Sequence, residues 1–186
     1  AQQRVQAHLF DGYWEDIGTV GAFHQANIDL TLDHPPFDFT HGEQPIFTRP
    51  RFLPSSRIMG ATVRNSLICD GCVIGRGSVI ENSVIGVRSV IGDNVTIRDS
   101  YLMGADWYEQ PHELRSNPGE GIVNLGVGAG SVIERAIVDK NARIGRNVKV
   151  LNETGVVDSE EAATHVIRDG VVVVPKQTVL REGAVI

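Results

Sequence analysis

Cys69 and Cys72 stand as Cys-Asp-Gly-Cys and are the only two cysteines of the chain. Thiols at that spacing serve dithiol exchange or half of a zinc site. A closed zinc site takes four ligands, and no second cysteine pair exists to complete one. Cys72 also falls on the small inward position of the repeat described below, which gives it a packing role. His112 lies in a stretch rich in proline and glycine, where an imidazole could serve as general base toward a hydroxyl or amine. The glycine-rich run 126–130 invites comparison with a phosphate cradle. A cradle, however, sits at a strand-to-helix turn, and this run keeps the step of the repeat. The other chemistry open to the chain is that of its cations. A phosphate ester needs several donors converging from different elements, with guanidinium forks for bidentate contact and ammonium groups as point charges. In a chain with 17 Lys and Arg against 23 Asp and Glu, such cations read first as solvated surface charges.

The element that must position these groups is a repeat. Aliphatic residues recur at Val63, Ile68, Ile74, Ile80, Ile85, Ile91, Ile97 and Leu102, in steps of 5, 6, 6, 5, 6, 6 and 5. The cycle is 17 residues, and Ile133, Val138, Ile144 and Val150 resume it after a break. A six-residue period is neither helical nor the alternation of a single strand. It is the spacing of short strands separated by turns and stacked coil upon coil. Three links per coil predict a three-sided prism with an aliphatic ladder inside each face. Two residues before the ladder positions lie small ones: Ser66, Cys72, Ser78, Ser83, Ser89, Val95, Ser100, Ser131, Ala136 and Ala142. Gly75, Gly86, Gly92, Gly128 and Gly145 directly follow ladder residues, and Gly71, Gly77, Asn82, Asn94, Asn141 and Asn147 occupy turns that favour positive φ. The fold class is therefore mainly β, a parallel β-helix. Neither period fixes the hand of the coil.

At 186 residues the chain holds one medium domain, or a domain with an appendage. A net charge of −6 and a pI near 5.5 speak against a nucleic-acid or membrane-surface protein. No apolar run approaches the roughly 20 residues that cross a bilayer. The stretch ahead of the domain does not read as a signal peptide, and the chain opens at Ala1; the expectation is a cytoplasmic location. Residues 4–14 carry scattered apolar positions (Val5, Leu9, Phe10, Tyr13, Trp14) that suggest a strand. Thr19 can cap a helix running to about Leu32, with Val20, Phe23, Ala26 and Leu30 along one face. Prolines at 35, 36, 45, 50 and 54 make 33–57 an extended connector. The β-helix is expected over about 58–151. The 36-residue step from Ile97 to Ile133 leaves 19 residues beyond one coil, read as a projecting loop at about 108–126. Residues 158–164 suggest a short helix capped by Asp158 with Glu161 three residues on, and Val171–Val174 a strand after which Leu180 and Ile186 keep the six-residue step. Flat outer faces of such a prism favour self-association.

Four stretches carry a resemblance: Gly12-Tyr-Trp-Glu-Asp-Ile-Gly-Thr19, Pro45-Ile-Phe-Thr-Arg-Pro-Arg-Phe-Leu-Pro54, Ala136-Ile-Val-Asp-Lys-Asn-Ala-Arg-Ile-Gly145 and Gly170-Val-Val-Val-Val-Pro-Lys176. With Leu102-Met-Gly-Ala-Asp106 and the insertion after it, they resemble the C-terminal part of ADP-glucose pyrophosphorylase (glucose-1-phosphate adenylyltransferase), a match over essentially the whole chain. The first motif is shared with other sugar nucleotidyltransferases; the Asp-Lys-Asn-Ala-Arg-Ile-Gly stretch is far more specific. The resemblance implies a left-handed β-helix regulatory and oligomerisation domain at 58–186. Ahead of it would lie a linker at 33–57 and, at 1–32, a strand-helix remnant of an α/β nucleotidyltransferase domain. It further implies an enzyme that makes ADP-glucose and pyrophosphate from ATP and glucose 1-phosphate with Mg2+, for glycogen or starch synthesis in the cytoplasm or the plastid stroma. Such an enzyme is a tetramer under control of phosphorylated metabolites: 3-phosphoglycerate, fructose phosphates and orthophosphate. By this similarity Asp16 corresponds to a Mg2+ ligand, and Arg49, Arg51, Lys140 and Lys176, with Asp139 beside them, to effector-binding positions. The family's glycine-rich nucleotide loop and catalytic residues have no counterpart in 1–186. The expectation is therefore a piece of the enzyme that holds no catalytic residue, meets ATP and glucose 1-phosphate only through the missing domain, and is inactive alone. The competing expectation is a stand-alone hexapeptide-repeat acyltransferase with His112 as general base.

Overall fold

The structure, a computed structural model, describes residues 4–39 and 46–186; Pro45 of the expected connector lies outside them. Three sheets form a prism. The first face stacks Arg57–Ile58, Val73–Ile74, Val90–Ile91, Gly126–Val127, Arg143–Ile144 and Val179–Leu180. The second stacks Thr62–Arg64, Val79–Glu81, Thr96–Arg98, Val132–Glu134 and Lys149–Val150, and the third Leu67–Ile68, Val84–Ile85, Tyr101–Leu102, Ala136–Val138 and Val171–Val174. These strands pair in parallel, and the register joins the expected ladder residues rung to rung: Val63 to Ile80, Ile97, Ile133 and Val150 on the second face. Ile74, Ile80, Ile85, Ile97 and Ile133 are completely buried, so each ladder is a column of aliphatic contacts between coils.

The small positions do more than fit. Ser66, Ser83 and Ser100 each accept, through Oγ, the backbone N–H one coil further on, of Ser83, Ser100 and Ala136. Ser83 and Ser100 are fully buried, so this serine column satisfies amides that have no water to turn to. Ser100→Ala strands the Ala136 amide. The expected loss is about 1–3 kcal/mol, checked by denaturant unfolding against Ser66→Ala, whose partly exposed site should lose less. Corners turn through left-handed residues, among them Asn82, Asn94, Asn141 and Asn147 as anticipated, and also Asp99 and Arg135. Gly128 marks a different constraint, since a Cβ there would lie 2.5 Å from the Gly145 backbone of the next coil.

Four expectations are corrected. Residues 4–14 form no strand; Val5, Leu9 and Trp14 are exposed and the segment joins no sheet of the described residues. Helix α1 (Val20–Asp29), capped by Thr19 Oγ1, ends before Leu32 and buries His24 and Ile28 rather than the expected stripe. It docks on the outside of the third face, where Phe23 meets Tyr101 at 5.8 Å between ring centres and Gly21 N–H donates to Asp169. Burial lowers the His24 pKa, so the neutral ring donates from Nε2 to the Asp99 carbonyl at 2.7 Å. The insertion is not a plain loop: it holds helix α2 (Pro111–Ser116) and a 3-10 turn, Asn117–Glu120, while Gly126 already belongs to a first-face strand. Residues 158–164 form no helix. Asp158 and Ser159 instead spend their side chains on the amides of Asp169 and Ile167. This ties the segment to a hairpin in which Val166–Arg168 pairs antiparallel with Val171–Val174.

Candidate functional site

Lys140 and Lys176 occupy equivalent corner positions on successive coils, each two residues past a ladder valine, Val138 and Val174, that pair in register. The Gln177 amide donates to the Lys140 carbonyl at 2.9 Å, which holds the two corners together. Both ammonium groups converge on one carboxylate. Asp106, where the chain leaves its coil to begin the insertion, accepts from Lys140 Nζ on Oδ1 at 2.9 Å and lies 3.6 Å from Lys176 Nζ through Oδ2. Asn141 Nδ2 donates to Oδ2 at 2.9 Å, and the Asp106 amide donates back to Asn141 Oδ1 at 2.8 Å. The hydrogen bond from Lys140, then that from Asn141, lowers the Asp106 pKa to about 2. This carboxylate is therefore ionised throughout the neutral range. Asp139 turns its own Oδ1 onto the following Lys140 amide at 2.6 Å, fixing the corner that carries Lys140.

Arg49 and Arg51 lie exposed on the extended stretch before the first coil. Arg51 exerts its charge on Cys69, which stacks below Gly86, Met103 and Asp139 in successive coils. At about 4.8 Å per coil this sets Cys69 roughly 14 Å below Asp139. Among the described residues, then, Lys140, Lys176 and Asp139 share a corner, and neither arginine makes a hydrogen bond or ion pair with them. Asp16 is exposed and caps Gly18 N–H at 3.0 Å. Among the described residues no three His, Cys, Asp or Glu side chains cluster to hold a metal. Asp16 would thus give Mg2+ a single ligand, and the donors present do not amount to a Mg2+ site. His112 is exposed on α2. Cys72 is 1% exposed and its Sγ–H donates to the Gly86 carbonyl. Burial raises the pKa of both cysteine thiols, the opposite of what a reactive dithiol needs.

Two further groups were not picked out from the sequence. In the sequence Asn141 stands only as a turn residue, and Asp106 only as part of a motif. The second group fastens the insertion: the Glu109 side chain, 4% exposed, accepts from Arg143 Nη1, Asn117 Nδ2 and the Leu125 amide. Tyr108 reaches back to donate to the Gly71 carbonyl at 2.8 Å. Between the insertion and the first face lies a groove of about 740 Å³ lined by Leu114, Ile122, Arg146 and Arg181 among others. Among the described residues no helix is long and apolar enough to cross a membrane.

A three-sided parallel prism with six-residue rungs, a corner bearing paired lysines and one strapped insertion is a hexapeptide-repeat β-helix domain. Residues 51–185 match the GLGC left-handed parallel beta-helix domain, and the chain belongs to that family. The domain is the C-terminal part of ADP-glucose pyrophosphorylase, so the coil is left-handed and the parent enzyme is a nucleotidyltransferase.

Proposed function

We propose that this chain is the regulatory and oligomerisation portion of glucose-1-phosphate adenylyltransferase, and that Lys140 and Lys176 bind the phosphate of an allosteric metabolite. One observation carries the reading: two ammonium groups from successive coils meet at a single oxyanion, Asp106. A phosphate offers the same kind of acceptor with more charge and more oxygens. The ligand class is a sugar phosphate, a phosphoglycerate or orthophosphate. Arg49, Arg51 and Asp139 complete the pocket in the assembled tetramer, and Asp16 joins substrate phosphates in holding Mg2+ once the nucleotide-binding domain is present. ATP and glucose 1-phosphate bind through that domain. Accordingly the chain by itself makes no ADP-glucose: it should release no pyrophosphate from ATP and glucose 1-phosphate, and sustained release would overturn that reading.

The binding claim is tested by calorimetric titration of the chain with inorganic phosphate and 3-phosphoglycerate. A hydrogen bond to a charged group contributes about 1.5–3 kcal/mol, so Lys140→Ala should weaken binding by roughly 10- to 100-fold. Lys176→Ala should weaken it as well. Lys149→Ala, on an exposed outer position of the second face, should bind like the parent chain. Equal loss in all three variants would mean that general charge attracts phosphate, and the corner would lose its assignment.

A further inference from the structure

Asp106 raises a question that the lysine pair alone does not. A site meant for an anion already holds one. We propose that Asp106 is a built-in counter-ion that occupies the lysine pair when no ligand is bound, so that a phosphate binds by displacing it and a singly charged carboxylate does not. This rests on the reading that Lys140 and Lys176 bind phosphate.

Geometry supports displacement rather than mere neighbourhood. Both Asp106 oxygens are engaged, Oδ1 by Lys140 and Oδ2 by Asn141 with Lys176 beyond. A phosphate oxygen reaching Lys140 Nζ at hydrogen-bond distance must therefore share that donor with a carboxylate a few ångströms away. Protonation offers no relief near neutrality, because the two donors keep the Asp106 pKa about 2. The contact to Lys176, at 3.6 Å, is the longer leg, which leaves that ammonium the freer of the two to receive an incoming oxyanion first. Asn141, 2% exposed and itself at a left-handed corner, grips Asp106 through amide and carboxylate together. Nothing on the far side of Asp106 anchors its side chain among the described residues. It lies one residue past Ala105, whose amide is held by the Val87 carbonyl at 2.9 Å, and it opens the insertion, whose separate strap runs through Tyr108 and Glu109. A dianion that replaces a monoanion gains attraction to two lysines, whereas an acetate-like ligand merely exchanges one carboxylate for another. Asp106 thereby sets both the threshold concentration and the preference for phosphate.

The test is titration of the full chain with inorganic phosphate, comparing the parent with Asp106→Asn and Asp106→Ala, each first checked for an unchanged β-sheet spectrum and a cooperative melt. Asp106→Asn should bind phosphate at least tenfold more tightly. In Asp106→Ala, sodium acetate should compete with phosphate by refilling the vacated position, while in the parent acetate at the same ionic strength should not. If the parent binds phosphate and Asp106→Asn binds it equally or less well, Asp106 orients the lysines rather than competing for them, and the proposal fails alone. If no variant binds phosphate, or Lys140→Ala leaves binding intact, the phosphate reading of the corner fails and takes this inference with it.

Discussion

Glu109→Ala is expected to detach the insertion from the first face and to lower the stability of the chain by about 3 kcal/mol, the lower end of what removing one partner from a buried ion pair does. The lower end applies because the two sides are unequally sheltered: the Glu109 side chain is 4% exposed and that of Arg143 is 23% exposed. Removing the carboxylate leaves three donors without their acceptor, on Arg143, Asn117 and Leu125. Arg143 retains the Val123 carbonyl at 2.6 Å, and water can reach it from one side, so its charge is not abandoned. The Leu125 amide has no such recourse, since Leu125 is 7% exposed. Glu109→Gln keeps an acceptor for that amide and should recover part of the loss. Two readouts check this. Urea unfolding gives the stability difference, and trypsin cleavage after Arg115, on α2, reports release of the insertion. Glu113→Ala removes only the α2 capping carboxylate and serves as the comparison. If Glu109→Ala unfolds like the parent and Arg115 is cleaved no faster, the insertion is held by the apolar contacts of Leu125 and the Tyr108 strap instead.

The uneven legibility of this molecule follows from where its interactions are made. The ladders could be read because a stacked coil repeats its constraints locally: what Ile80 needs, Ile97 needs one period later. Lys140 and Lys176 instead came from the resemblance, and it is the structure that pairs Val138 with Val174 and so brings them to one corner. Asp106 was hidden because it departs from the repeat just where the insertion begins, and a spacing of 34 residues to Lys140 is neither one coil nor one coil plus the insertion. Helix α1 was legible as a helix from its Thr19 cap, but its buried side was not. That side is chosen by the outer residues of the third face, and the placement of His24 against Asp99 crosses 75 residues of sequence. The expected helix at 158–164 failed because polar side chains that can cap a helix can equally hold a neighbouring strand. The signal for the correct answer was present in Asp169-Gly170, both at positive φ, a pair that favours a tight hairpin between aliphatic runs.

The second large effect tests the stacking principle itself. Ile97→Ala should cost about 2–5 kcal/mol, the range for emptying a buried Ile or Leu site. Val63→Ala, on the same ladder, should cost markedly less, of order 1 kcal/mol. The side chains differ by one methylene, worth roughly 0.8 kcal/mol when buried, so chemistry alone does not separate them that far. Position does. Ile97 lies between Ile80 and Ile133 and is wholly inaccessible, so truncation opens a gap with neighbours above and below. Val63 stands on the first coil, paired to Ile80 on one side only, and is partly exposed. In a solenoid, stability is approximately a sum of coil terms and nearest-neighbour interfaces, and an inner rung belongs to two interfaces where an outer rung belongs to one. Equilibrium unfolding of both variants and of Ile97→Val, which should lose about 0.5–1.5 kcal/mol, measures the contrast. Equal losses for Ile97→Ala and Val63→Ala would mean that the first coil is covered in solution as fully as the middle ones.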